Sequence, residues 1–474
     1  MHSLETLQSG GYKGAGLTRL KLTCPLATLP NEILELGDTL EELDLSGTGL
    51  SSLPANLGPA LPKLTSALFS SCNFRVFPRE LASCPSLETV AFRDNAMEEL
   101  PEDALPPRLR SLVLTNNRLA SLPAAIGRCD GLQECMLAGN QLRDLPPEMA
   151  HCKKLSLLRL SANRLSTLPR WLLALPELAF LSFASNPCCT SPTTNGLPTP
   201  RGLADIPWRD LEIQQTLASA PSSTTSQALW HQSPHYAEDV AVTLFCGTRP
   251  TDAGLPADEL AACLAAGAHE SLVTLLGRIH DHPDEDTASY QGGIAAQLLP
   301  LEYTPLASTL IPSSLEDHGR FPLPAALELL TGLASALAHL HARGIAHGSV
   351  SAAESILASR DDAHALLCGF GTATVYGLSP SRLSSSSSEE GEGGEEAGLV
   401  EKIEVLAFGR VVEGLLGAVD VQEGEEGVRG LRVLAERCVV PEVAARPGFG
   451  EVVDGLEALV GWRGMMRIPD VVPR

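Results

Sequence analysis

At 474 residues the chain exceeds what one hydrophobic core usually holds, which favours two or more domains. Apolar residues make up 44% and aromatic residues only 4%, a folded composition with cores of Leu, Ala and Val rather than rings. A net charge of -23 and an isoelectric point near 4.9 set the chain against anionic partners, so neither nucleic acid nor an anionic membrane surface is expected as a ligand.

The first segment, residues 1–16, lacks the charged start and apolar stretch of a secretory signal, and no uninterrupted apolar run of roughly 18 residues follows. A cytoplasmic location is expected, with the nucleus as the alternative. Twelve cysteines are scattered through both halves without a CxxC pair, a pattern of reduced core thiols rather than of disulfides or a metal site. The adjacent Cys188 and Cys189 receive no role.

From residue 17 to about 190 the pattern LxxLxLxxNxLxxLP recurs every 22 to 24 residues, with clear copies starting at Leu40, Leu64, Leu87, Leu109, Leu132 and Leu155. This is the pattern of a leucine-rich repeat. Each unit supplies a short strand with two inward leucines, and its Asn can satisfy buried backbone groups at the next turn. The irregular copies from Leu17 and Leu178 read as caps, so eight units are expected to stack into a curved α/β solenoid over residues 17–190. The residue between the strand leucines reads Lys21, Asp44, Leu68, Ala91, Val113, Met136, Arg159, Ser182. Leu68, Ala91, Val113 and Met136 would form an apolar stripe on the concave face, a docking surface for a protein partner.

Residues 191–207 turn to Pro, Thr, Ser and Gly and read as a linker. Beyond it come a strand VAVTLF, a helix ADELAACLAAGA, a strand near IAAQLLPL and a long helix AALELLTGLASALAHLHARG. The stretch LASALAHLHARGIAHGSVSAAESIL resembles the catalytic loop of a protein kinase, LHxxGIxHRDLxxxNIL, and ALLCGFGTA resembles the turn that carries the kinase DFG. VAVTLF is similar to VAIK, IEVLAFGRVVEGLL to DVWSFGxxLxELL, and PEVAARPGFGEVVDGLEAL to the RP-containing close of the C-lobe. The order and spacing hold over about residues 208 to 460. The resemblance implies an α+β two-lobed protein-kinase-like fold over residues 208–465, with a low-complexity insert at 377–400 and a tail at 466–474. The pairing with a solenoid resembles soluble leucine-rich-repeat protein kinases, whose loop often reads HGD, as Gly348 would fit.

Carried onto this chain, the family's chemistry is largely missing. Phosphoryl transfer needs phosphates and metal ions held and a hydroxyl nucleophile oriented. The nucleotide-loop glycines fall at Ala218, Ala220 and Ser223, and the phosphate-bridging lysine at Thr243, although the helix glutamate persists as Glu259. No lysine occurs from residue 155 to 401. His347 is kept, but the proton-accepting aspartate is Ser349, the metal-binding Asn is Glu354 (Ser355 with one insertion), and the DFG aspartate is Gly369, with Phe370 and Gly371 retained. Glu404 stands for the long-helix aspartate, and Arg446 would need Glu396 or Glu401 as its partner. The resemblance therefore implies a pseudokinase acting as a scaffold or regulator, with no required cofactor and at most weak, metal-independent ATP binding at a hinge from Leu299 to Glu302. The alternative is an active ATP-dependent serine/threonine kinase with non-standard catalytic residues.

Overall fold

A computed structural model describes residues 2–189, 203–309, 321–359, 362–376, 392–419 and 425–465. Two compact units divide the chain, one built on residues 1–189 and the other on most of the remainder.

The first unit is a single parallel sheet of eight three-residue strands: Arg19–Lys21 (β1), Glu42–Asp44 (β2), Ser66–Leu68 (β3), Thr89–Ala91 (β4), Ser111–Val113 (β5), Glu134–Met136 (β6), Leu157–Arg159 (β7) and Phe180–Ser182 (β8). Each strand pairs with the next in register, so equivalent repeat positions line up in rows across the sheet. The central residue of every strand is buried, Leu43, Leu112 and Leu158 among them. A short helix, Leu4–Gln8 (α1), precedes the sheet, and the return segments are single turns rather than full helices: Asn31–Leu34 (α2), Leu57–Ala60 (α3) and Arg170–Leu173 (α4), with 3-10 turns between α3 and α4.

The repeat asparagines tie successive units together. Asn140 Nδ2 donates to Leu114 O at 2.9 Å and Leu137 O at 3.0 Å, while its Oδ1 accepts the Leu119 N–H at 3.1 Å. Asn163 and Asn186 repeat the arrangement one and two units later. A buried amide with two donors and an acceptor thus serves the backbone groups that a tight turn leaves without sheet partners. Where leucines give way to rings, Phe69, Phe74, Phe77 and Phe92 form one contiguous aromatic group, with centroids 5.0 to 5.6 Å apart.

The second unit opens with a six-stranded sheet in the order β10-β11-β12-β14-β13-β9. Its strands are Ala204–Pro207 (β9), Leu211–Ser219 (β10), Ser223–Ser233 (β11), Tyr236–Cys246 (β12), Leu275–His280 (β13) and Tyr290–Gln297 (β14). All neighbours are antiparallel except β9, which runs parallel to β13. Helix Pro256–Ala266 (α5) packs against β14. Short elements follow, Thr304–Pro305 (β15) and Leu306–Thr309 (α6), then helix Leu323–Ala342 (α7), strands Ile345–Ala346 (β16), Ile356–Ser359 (β17), His364–Leu367 (β18) and Thr374–Val375 (β19), and helices Glu392–Leu416 (α8), Glu425–Cys438 (α9) and Phe449–Met465 (α10). Helix α7 is long and apolar enough by composition to cross a membrane, yet Leu327, Leu330, Leu333 and Leu337 lie in the core of this unit, against α10 and β18.

Two sequence expectations are corrected. The linker does not extend to residue 207: Ala204–Pro207 is a strand, and Gly277 lets it approach, since a Cβ there would stand 2.5 Å from Ala204 O. Residues 392–400 are not low-complexity insert but the start of α8, where helix propagation from the apolar stretch beyond Val400 outweighs the Glu and Gly content. The rest of the insert (377–391), the tail (466–474) and residues 191–202 of the linker lie outside the described residues.

Candidate functional site

Between the sheet and the elements that follow it within the second unit lies a cavity of about 500 Å³. Its roof comes from the β10–β11 hairpin (Leu217, Ala218, Ser223), its back from α5 (Glu259, Cys263, Ala266), and its floor from Leu357, Cys368, Gly369 and Phe370. Leu298 and Leu299, just past β14, close the edge. Helix periodicity explains the back wall: Glu259, Cys263 and Ala266 recur at i, i+4 and i+7 and so share one face. Gly292, at φ +135°, sets the approach of that helix, since a Cβ there would stand 2.5 Å from Leu260 Cδ2.

Most of the sequence-assigned positions converge on this cavity. Thr243 lines it, its hydroxyl 2.9 Å from that of Thr225 across the β11–β12 pair. Glu259 lines it as well, half-buried, with Ser222 Oγ at 3.5 Å as its polar contact. Loss of water raises the Glu259 carboxyl above its usual pKa, against the weaker pull of Ser222. Gly369 sits at φ +76° on the floor and offers no side chain, although a Cβ there would meet nothing nearer than 3.8 Å.

Other assigned positions fall elsewhere. Ala220 closes the hairpin, its N–H donating to Ser223 O at 2.8 Å, and it does not line the cavity. The strands stay paired up to that turn, Ser219 opposite Thr224. Glu302 is exposed and outside the lining, because the chain turns outward after Leu299 and reaches β15 at Thr304. Glu354 is exposed and also absent from the lining, whereas neighbouring Ser355 is buried. Gly371 lies in the 3-10 turn Phe370–Thr372, beyond the floor. Among the described residues no three His, Cys, Asp or Glu side chains converge to hold a metal ion.

Below the floor is a buried polar frame. His347 is fully buried, its Nε2 donating to Cys368 O at 2.9 Å and its carbonyl accepting the Thr372 hydroxyl at 2.9 Å, while the Phe370 ring meets it edge-on at 5.3 Å. Ser349 is buried beside it, its N–H directed at His347 Nδ1 at 3.4 Å. Glu404 takes a hydrogen bond from His341 Nε2 at 2.8 Å and another from the Gly348 N–H. Burial alone would push the Glu404 carboxyl up, but the hydrogen bonds from His341 and the Gly348 N–H hold it below its usual value. Arg446 is buried and donates to Val440 O at 2.9 Å and Lys402 O at 3.1 Å, while Glu401 accepts the Phe449 N–H at 2.7 Å.

The sequence reading missed Ser222, Cys263, Ala296 and Cys368. The helical spacing from Glu259 pointed to Cys263, but nothing in the sequence pointed to Ser222 or Cys368, which tertiary packing delivers.

On the repeat unit, the apolar stripe is less open than the sequence implies. Leu68, Val113 and Met136 are half-buried, and Ala91 is only 8% exposed. Ala91 stands in register between Leu68 and Val113 on adjacent strands, so the larger side chains on both sides shield its single methyl. At the strip's ends, Lys21 Nζ pairs with Asp44 Oδ2 at 2.7 Å, and Arg159 and Ser182 are buried.

Comparison with known proteins bears on the repeats. Residues 107–165 match the leucine rich repeat family model. An adenylate cyclase of Podospora anserina is 36% identical over 85 residues, which is 18% of this chain and 4% of that protein. A solved leucine-rich-repeat protein of Leptospira interrogans is 27% identical with a TM-score of 0.31, covering 39% of this chain and 52% of that one. The chain thus spans a small fraction of the cyclase and about half of the solved repeat protein. The family match falls within the eight-stranded parallel sheet, whose remaining strands repeat its geometry, and the N-terminal unit carries leucine-rich repeats folded as a solenoid.

Proposed function

We propose that this chain is a cytoplasmic scaffold or regulator in which the repeat unit binds a protein and the second unit is a kinase-like domain without phosphotransfer activity. Leucine-rich repeats supply extended, regular surfaces suited to protein partners. The docking surface proposed on this one is the row Leu68, Val113, Met136, with Ala91 as its shielded floor rather than a contact.

For the second unit, the order of elements and the motif resemblance support a kinase-like reading. In this reading, the cavity beneath the β10–β11 hairpin is the counterpart of the nucleotide cleft, which is supported by its being lined by Ala218, Ser223, Thr243, Glu259 and Gly369. One observation carries the loss of activity: among the described residues Glu259 is the sole charged residue in the lining, with no Lys, Arg or His there beside it. A triphosphate would enter a site with no cation, one carboxyl and, at Gly369, no carboxylate to recruit magnesium. Ser349 at the proton-acceptor position has no useful basicity near neutral pH. Each such group is typically worth about 3 to 5 kcal/mol of barrier, so losing several leaves little catalysis even without additivity.

The test is transfer of radiolabelled phosphate from ATP by the purified full chain, to itself and to generic protein substrates. No transfer above a sample lacking magnesium is expected. Transfer that disappears in a Ser349→Ala variant would overturn the proposal in favour of an active kinase with non-standard residues.

A further inference from the structure

The described lining offers a phosphate no cation, yet the cavity is not featureless. Its walls are mostly apolar, with Leu217, Phe245, Leu272, Ile294 and Phe370 among them, and Ala296 leaves room at the end of β14 beside the back wall. The Thr225 and Thr243 hydroxyls satisfy each other. Of the other polar side chains in the lining, Ser223 and Gln297 are neutral, and among the described residues Glu259 is the charged one, held on α5 with a single hydroxyl at 3.5 Å and no cation beside it in the lining. A half-buried carboxylate facing an apolar space is costly until a donor or a positive charge reaches it.

We propose that this cavity is a binding site for a small aromatic amine in its cationic form, the ring between the apolar walls and the ammonium on Glu259. Ligand sites commonly combine an apolar enclosure with one or two placed polar groups that fix orientation, and about 500 Å³ accommodates a molecule of one to three fused rings. The same carboxylate repels anions, so nucleotides and fatty acids are selected against. The inference rests on the reading of the cleft as unable to hold metal and phosphate, and deepens it by naming the class of ligand that the remaining chemistry suits.

The experiment is isothermal titration of the full chain with three probes of one shape: 2-naphthylmethylamine, 2-naphthalenemethanol and 2-naphthoate. The amine is expected to bind about tenfold or more tighter than the alcohol, with the carboxylate weakest, tenfold being about 1.4 kcal/mol. Glu259→Gln, which keeps volume, should reduce the amine to the affinity of the alcohol and leave the alcohol unchanged. Thr243→Lys, which supplies an internal cation in the same cavity, should independently remove the preference. Equal binding of all three probes, an amine affinity unaltered by Glu259→Gln, or no saturable binding by any probe up to its solubility limit would each overturn the inference. A parallel titration with ATP, with and without magnesium, separates the two claims. Magnesium-dependent ATP binding would sink the phosphate-free reading, whereas failure of the amine alone would leave that reading standing.

Discussion

Glu404→Ala is the sharpest test of what holds the second unit together. The wild-type carboxylate is 2% exposed and takes hydrogen bonds from His341 Nε2 and the Gly348 N–H, which join α8 to α7 and to the loop after β16. Truncation leaves two buried donors without their acceptor and opens a cavity at the crossing. Removing one partner of a buried, hydrogen-bonded charge pair typically costs about 3 to 5 kcal/mol. At about 2 to 4 °C per kcal/mol for a unit of this size, the melting temperature should fall by about 6 to 20 °C. Glu404→Gln keeps an acceptor and most of the volume, so its loss should be smaller. Differential scanning calorimetry of the full chain reads both variants, and only the transition of the second unit should move. The sign of the pH dependence follows from the depressed carboxyl. Its stabilisation is fully present above the unfolded-state value of about 4.3, and is lost as pH falls through the lower folded value, so the wild-type and Glu404→Ala curves should converge in acid. A Glu404→Ala protein that melts with the wild type at neutral pH, or loses no more than Glu404→Gln, would refute the assignment of Glu404 as the tie between these elements.

Asn140→Ala should destabilise the repeat unit by about 1 to 3 kcal/mol, since it strands the buried Leu119 N–H, whereas Leu114 O and Leu137 O keep the amides of Asn117 and Asn163 as donors; denaturant unfolding followed by circular dichroism measures it. Val113→Asp and Met136→Lys should abolish recovery of protein partners in a pull-down while leaving the circular dichroism spectrum unchanged, because a charge buried in an apolar contact is left unpaired. Full recovery would place the docking surface elsewhere. Glu259→Gln should raise the melting temperature of the ligand-free chain at neutral pH, by about 2 to 4 °C for a gain of about 1 kcal/mol. The gain should shrink as pH falls through the raised folded pKa, where wild-type Glu259 becomes neutral too.

How much of this was legible in the sequence depends on whether the controlling contacts are local. The solenoid was, because a repeat of 22 to 24 residues sets strand, turn and asparagine together, and each unit meets only its neighbours. Helix α5 and its cavity-facing residues were also within reach, since Glu259 and Cys263 are one turn apart. The degree of closure of the repeat stripe was not: Ala91 is shielded by residues more than twenty positions away on either side. Nor was the strand at Ala204–Pro207, which exists because Gly277 lets a distant segment pair with β13. The pairing of Glu404 with His341, 63 residues apart, likewise has no local signature. The sequence alone determined which chemical groups this chain lacks, since no fold can create a lysine between residues 155 and 401. Only the tertiary structure decided that Glu259 faces an apolar cavity while Glu354 and Glu302 face water, because burial depends on what packs above a side chain and not on the side chain itself.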